Sequence, residues 1–514
     1  MTLRRFLLAG AMASLVGFTY ASDWPTFRGS DGTGAVSTGK LPAEWSAEQN
    51  VAWKVAVPGA AWSCPIVVGD NVFVTTAYAE GQPKPNSGGG FGGGGGGGGR
   101  PPGAGGGQPP GGGGRPGGGG FGGTRPGPDK VYTWKVICLD KATGKVKWEK
   151  VASEGKPKYA TQPANTFASE TPTSDGERVF AYFGASGTVV AYDLAGKQIW
   201  KKELGAIPSQ MGFGTASSPT AYNGLVYVQC DNEEKSYLVA LDARTGDEKW
   251  KVDRAEKTNW STPHIWKQKD RTDLVVGGSQ KVRGYEPASG KLIWELAIGG
   301  GQSNASPVGT ADMLYFGTGA MGGGGGGGGR GGPGGGPPGA GTPPGGAGGQ
   351  PPGGQRPGGG GQGGRGGANV GTLFAIKAGV TGDISPKMGQ STSDGIAWSV
   401  PRGAPAAATP LVYNGYVYCC ARDGRISCFD AKTGKAAYKD EQIPQAKPFW
   451  ASPWANDGKV FALDEDGATH VLKAGPEFEV IRVNKLGKDK YWSSPALVDG
   501  MVILRGIDSI VGIR

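Results

Sequence analysis

Four tryptophans stand at one offset. Trp62, Trp260, Trp450 and Trp492 each lie three residues before the proline of a recurring Ser-x-Pro phrase. Indole rings repeated at one structural position serve either as packing or as a surface on which a flat ligand stacks. In another copy, Ser169-Glu170-Thr171-Pro172, Glu170 is an oxygen ligand of the kind calcium takes. Other chemistry is thin. His264 and His470 are the only histidines, too few for a His-based metal cluster. No Gly-x-Ser-x-Gly elbow, phosphate loop or Cys-x-x-Cys-His haem site occurs. No catalytic residue is assigned.

The elements that position these residues come from the repeat. The phrase occurs eight times, with prolines at 65, 172, 219, 263, 307, 410, 453 and 495. Spacings of 42 to 47 residues in the uninterrupted stretches, with strand-like content, predict a β-propeller with one blade per repeat. Residues 215–251 give the blade. Ser218–Tyr222 is a first strand, Asn223-Gly224 a tight turn, and Leu225–Cys230 a second strand. Tyr237–Asp242 is the third, Ala243–Gly246 a turn, and Glu248–Lys251 begins the fourth. The predicted fold is all-β: an eight-bladed propeller of four-stranded antiparallel blades. The chain ends three strands into blade eight, so Asn50–Val55 is expected to supply that blade's outer strand and close the ring. Such closure removes exposed sheet edges.

The tail of each repeat reads Asp-x-x-Thr-Gly-Lys-x-x-Trp, as in Asp140 to Trp148, with variants ending at Trp200, Trp250, Trp294 and Tyr438. Asp caps the turn and Gly supplies a positive φ. Burying each outer tryptophan is worth about 4–6 kcal/mol, so these rings are structural. This signature resembles the quinoprotein-type, or PQQ-like, propeller repeat family across residues 51–514 outside two inserts. The opening Asp23-Trp24-Pro25-Thr26-Phe27-Arg28-Gly29 is also similar to that of secreted members. The family includes outer-membrane assembly lipoproteins and pyrroloquinoline quinone (PQQ) dehydrogenases. For the dehydrogenase branch the resemblance implies a quinone stacked at the channel face, here on Trp62, Trp260, Trp450 and Trp492. It also implies a calcium ion, for which Glu170 is the candidate, an aspartate base and an adjacent-cysteine disulfide in an early blade. Here the adjacent pair, Cys419-Cys420, falls in blade six.

Net charge is +10. Residues 81–128 and 321–367 are Gly/Pro-rich, contain no acidic residue and carry seven of those charges. Arg4 and Arg5 carry two more, which leaves +1 on the rest and no basic groove for nucleic acid. Both inserts read as disordered. They interrupt the hairpin between the second and third strands of blades one and five, on opposite sides of one face. Lengthening such a loop tenfold costs about 2 kcal/mol. Residues 1–21 read as a signal peptide: Arg4 and Arg5, an apolar stretch Phe6–Phe18, and a cleavage site at Thr19-Tyr20-Ala21. The apolar stretch is too short to span a bilayer, and the first cysteine, Cys64, is too distant to carry a lipid anchor. Residues 22–57 form an N-terminal segment and 58–514 the propeller. A periplasmic or secreted monomer is expected.

Six cysteines in an exported chain raise the question of disulfides. Cys138 and Cys428 fall at the small core site held by Ala191 and Ala240 elsewhere. With a two-residue turn at Asp423-Gly424, Cys419 would face Cys428, which leaves a cross-strand or a vicinal disulfide open beside plain packing. Two functions stand. One is a non-enzymatic scaffold for an envelope protein or polymer. The alternative is a PQQ- and calcium-dependent alcohol or sugar dehydrogenase.

Overall fold

The computed structural model describes residues 23–37, 39–85, 125–299, 303–319, 371–387, 390, 392–405 and 407–514. The expected leader and most of both inserts lie outside the described residues. Eight sheets, each with four antiparallel blade strands, form an eight-bladed β-propeller. Blade three matches the repeat as read: Thr220–Tyr222, Leu225–Cys230, Ser236–Asp242 and Glu248–Arg254. Its inner strands are nearly all buried and Val-, Leu- and Tyr-rich, while the outer one alternates toward solvent. The N-terminal strand Val51–Ala56 pairs antiparallel with Ser509–Ile513, so blade eight is built from both ends of the chain.

Both inserts leave the hairpins where the repeat places them. Asn71–Tyr78 pairs with Tyr132–Asp140 in blade one, and Met313–Gly317 with Gly371–Lys377 in blade five. The roots of the first insert lie against the body. Lys84 bonds Asp508 at 2.7 Å, and Pro126 bridges to Tyr159.

Neighbouring blades are joined by a repeated contact. The outer-strand indole of one blade donates its N–H to a backbone carbonyl in the next blade's turn. Trp53 reaches Lys141, Trp148 reaches Leu194, Trp200 reaches Ala243, Trp250 reaches Pro287 and Trp398 reaches Ala431, all at 2.9–3.0 Å. The turn glycine lies under that ring. At Gly144, Gly196, Gly246, Gly290 and Gly434, φ is 70–87° and a Cβ would come within 2.6–2.8 Å of the indole. Only glycine meets both demands. Within its own blade each of these indoles faces a small residue across the strand pair, such as Ala191 opposite Trp200 and Cys138 opposite Trp148.

The seam after blade four departs from the pattern. Trp294 bonds Asp273 of its own blade, and Gly382–Asp383 adds a parallel fifth strand outside it. Blade five's outer strand, Ile396–Ala404 with Trp398, follows that detour and lacks the usual tail, so the repeat did not reveal it.

The N-terminal segment does more than close blade eight. Residues 23–36 cross the central channel. Trp24 bridges to Val67 in blade one, and Pro25 accepts from Ser174 in blade two. Gly32 lies against His264 in blade four. Ala35–Val36 pairs in parallel with the inner strand of blade seven. Arg28, 3% exposed, donates to the carbonyls of Pro410 and Pro453 in blades six and seven.

All six cysteines are buried and free. The expected pairing of Cys419 with Cys428 is corrected: Cys419 faces Ser427, and Cys428 faces Tyr418. Ala421 and Arg425 close the hairpin around three residues, Arg422-Asp423-Gly424, and the extra residue shifts the register by one. Cys428 faces Tyr438 on the other side, in the small core site read from the repeat.

The interblade seam predicts its own sensitivity. Trp200→Ala should lower stability by about 3–5 kcal/mol, read from the midpoint of urea unfolding. The exposed neighbour Ile199→Ala should leave that midpoint nearly unchanged.

Candidate functional site

The residue immediately before each motif proline opens an inner strand beside the channel. Its backbone is extended, as the following proline requires, so its amide points sideways toward the next blade. There it meets the side chain of the equivalent residue. Cys64 N–H donates to Thr171, Thr171 to Ser218, Ser218 to Thr262 and Thr262 to Ser306. Ser306 donates to Thr409, Thr409 to Ser452, Ser452 to Ser494, and Ser494 to the Cys64 sulfur. The eight bonds span 2.9–3.2 Å and close into a ring with one link per blade. The sequence carried a signal for it: all eight positions before proline hold Ser, Thr or Cys.

These eight residues line one cavity of about 170 Å³ at the mouth of the channel, where the inner strands begin. Trp62, Trp260, Trp450 and Trp492 line it too, so the structure gathers all four sequence candidates. Phe27 of the crossing segment, Phe213, Asn165 and Asn304 are further lining residues that the sequence did not single out.

Three of the indoles are engaged with one another. Trp492 lies between Trp62 and Trp450, at centroid distances of 4.8 and 3.9 Å and interplanar angles of 17°. The Arg422 guanidinium lies 4.0 Å over Trp450, a cation–π contact that caps the column. Trp492 therefore has both faces covered, and Trp450 has one face on Trp492 and a cation over its ring. The Glu465 carboxyl lies beside the Trp450 and Trp492 indoles, and burial pushes its pKa up. Trp260 stands apart, donating to Gly214 at 2.9 Å and meeting Phe213 edge-on.

Glu170 is not part of the cavity lining. Its neighbour Thr171 belongs to the ring, but the Glu170 carboxylate turns between blades two and three. Oε1 accepts from the Gly184 amide at 3.1 Å, and Oε2 has no hydrogen-bond partner. Among the described residues no three His, Cys, Asp or Glu side chains come together as a metal site. A quinone stacked between Trp62, Trp492 and Trp450 would have to part these indoles, and the Glu170 carboxylate faces away from them toward Gly184.

Two arginines flank the ring. Arg505, 2% exposed, donates to Ser63 Oγ and the Thr75 carbonyl, one residue from Cys64. Arg28 binds the carbonyls that follow Thr409 and Ser452. Burial lowers both guanidinium pKa values to about 10, and both act electrostatically on the Cys64 thiol. Their hydrogen bonds go to carbonyls and one hydroxyl, and none to a carboxylate.

Two outcomes test this site. Thr409→Val should leave the buried Ser306 amide unpaired and cost about 1–3 kcal/mol, whereas Cys64→Ser should keep the ring and near-wild-type stability in chemical denaturation. Burial raises the Glu170 pKa from 4.5 to about 6. The folded state therefore binds the proton more tightly, and this contribution is present below pH 4.5 and lost as pH rises through 6. Glu170→Gln should gain about 2 kcal/mol at pH 7 and flatten the unfolding free energy between pH 4.5 and 6.

Comparisons with known proteins agree with this architecture. The family described as outer membrane protein assembly factor BamB (PQQ_2) matches residues 132–313 and 363–475. A polyvinylalcohol dehydrogenase of Sphingopyxis sp. is 28% identical over 180 residues, 29% of this chain and 27% of that protein. A tetrathionate hydrolase of Acidithiobacillus ferrooxidans is 23% identical over 192 residues, 35% of this chain and 34% of that protein. The matches thus span about a quarter to a third of those relatives. The quinohemoprotein alcohol dehydrogenase of Comamonas testosteroni shares the fold, with a TM-score of 0.50 at 13% identity over 96% of this chain and 80% of that one. The family match covers more than half of the sequence, and the chain belongs to the PQQ-like propeller family of the assembly factor BamB.

Proposed function

We infer that the protein is a non-enzymatic binding scaffold of the cell envelope, holding a protein or polymer partner on the face where the channel opens. The observation that carries this reading is the closed indole column. Trp62, Trp492 and Trp450 stack on one another under Arg422, which supports a packing role for them at the channel mouth over an open slot between them for a flat cofactor. The family includes assembly factors, whose work is association. Strand direction puts the roots of both inserts, after Tyr78 and after Gly317, on the same face as the cavity. On this reading their seven basic residues and lack of acidic ones suit an acidic partner. The chain works, on this reading, outside the cytoplasm, periplasmic or secreted, as a monomer. No helix of the described residues is long and apolar enough to cross a membrane.

A second reading, a PQQ- and calcium-dependent alcohol or sugar dehydrogenase, draws support from the similarity to the polyvinylalcohol dehydrogenase and from the convergence of four tryptophans on one cavity.

Titration with PQQ and calcium, followed by tryptophan fluorescence, separates the two. The scaffold reading expects no calcium-dependent quenching. It also expects envelope material to be retained by the full chain and released when residues 86–124 and 321–367 are deleted. Calcium-dependent one-to-one quenching, lost in Trp260→Ala, would reverse the assignment.

A further inference from the structure

Hydroxyl donors line the cavity, two buried arginines lie behind its wall, and the Glu465 carboxyl beside Trp450 and Trp492 has its pKa raised by burial. None of the cavity's lining side chains is acidic or basic. In the ring, Ser218, Thr262, Ser306, Thr409 and Ser452 each accept a neighbour's amide, and none donates to a protein acceptor among the described residues. A hydroxyl carries one donor besides its acceptor sites, so five O–H groups are left for whatever occupies the cavity. Arg28 and Arg505 add two buried positive charges within one residue of the ring. Neither has a hydrogen-bonded carboxylate as partner among the described residues, Asp31 acts on Arg28 only through space, and buried charges are ordinarily paired. Glu170, the nearest buried acid in sequence to the ring, turns away toward Gly184.

These features discriminate between ligands. A cation or a metal ion would meet donors and two guanidinium fields. A neutral ligand would use the hydroxyls and ignore the charge. A carboxylate uses both: it accepts from the hydroxyls and offsets the arginines.

We propose that the channel mouth is a carboxylate-binding site, in which the hydroxyl ring takes the oxygens of an acidic group in the field of Arg28 and Arg505. This rests on the scaffold reading and names the chemistry of the partner's contact. The acid belongs either to a polymer or to a small free metabolite, and both present the same group. The indole column at the rim reports its arrival.

The test is tryptophan fluorescence of the full mature chain, titrated at constant ionic strength set with sodium chloride. The probes are sodium acetate, an oligogalacturonate, a neutral malto-oligosaccharide of equal length and tetramethylammonium chloride. Saturable quenching by acetate or oligogalacturonate, without quenching by the other two, is the expected result. Oligogalacturonate alone would assign the acid to a polymer, and acetate alone to a small metabolite. Asn304→Asp, on the cavity wall, should weaken binding about tenfold or more by placing like charge beside the ligand. Asn304→Lys should strengthen it. Arg505→Gln should weaken it as well; where that buried variant misfolds, the Asn304 pair decides. Equal quenching by the neutral sugar, binding of tetramethylammonium, silence with both carboxylates, or indifference to the Asn304 charge would overturn the proposal. Capture of an envelope partner without carboxylate binding would sink this inference alone. Calcium-dependent PQQ binding would sink the scaffold reading; because PQQ is itself a tricarboxylic acid, acetate and oligogalacturonate still decide the carboxylate site.

Discussion

The closed ring of eight hydrogen bonds at the channel mouth is the constraint on which the other parts depend. A propeller must bring the first residue of every inner strand to the axis, where eight backbone amides crowd into a buried space. A buried amide without a partner costs about 1–3 kcal/mol. The chain answers with one residue type per blade, a small side chain that accepts from its neighbour while its own amide donates onward. The chain of bonds is satisfied only when all eight blades are present and in register. Cys64 completes it with sulfur, where Ser494 donates.

Outside that ring the blades hold together through the tryptophan and glycine seam. The indole crosses from one blade to the next, and the glycine turn makes room for it. The seam is local and repeated, so it tolerates exceptions. Between blades four and five, Trp294 turns inward to Asp273, and an added parallel strand covers the outer edge. At blade six, Tyr438 replaces the tryptophan and packs on Phe478 at 5.6 Å. The same logic lets the hairpins of blades one and five carry long inserts, because the ring and seam contacts are made by residues elsewhere in each blade.

The channel itself is filled from the N-terminal side by residues 23–36, and that segment sets the character of the mouth. Phe27 reaches the cavity, and Arg28 ties two inner strands together through their carbonyls. Arg505 adds a second buried guanidinium beside Cys64, so two positive charges lie behind a ring rich in hydroxyls although the body as a whole is near neutral. A field of this kind arises from where two arginines are buried and not from their number.

The architecture was legible before any folding. Phrases repeated every forty-odd residues, Asp and Gly at each turn and an outer tryptophan are local patterns, and eight copies with an unpaired strand at the start dictate a ring closed by its own N-terminus. The sequence also placed Trp62, Trp260, Trp450 and Trp492 near the axis, because a shared offset in a repeat means a shared position. Tertiary structure decided the rest. Whether those indoles face a ligand or one another depends on rotamers set by Arg422 and neighbouring blades far away in sequence. Glu170 turned between blades because its partner is the Gly184 amide, and the offset from the proline does not encode that. The hydroxyl before each proline was legible as a pattern, but its role was not. A hydrogen bond from blade to blade exists only once eight separate strand ends meet around one axis.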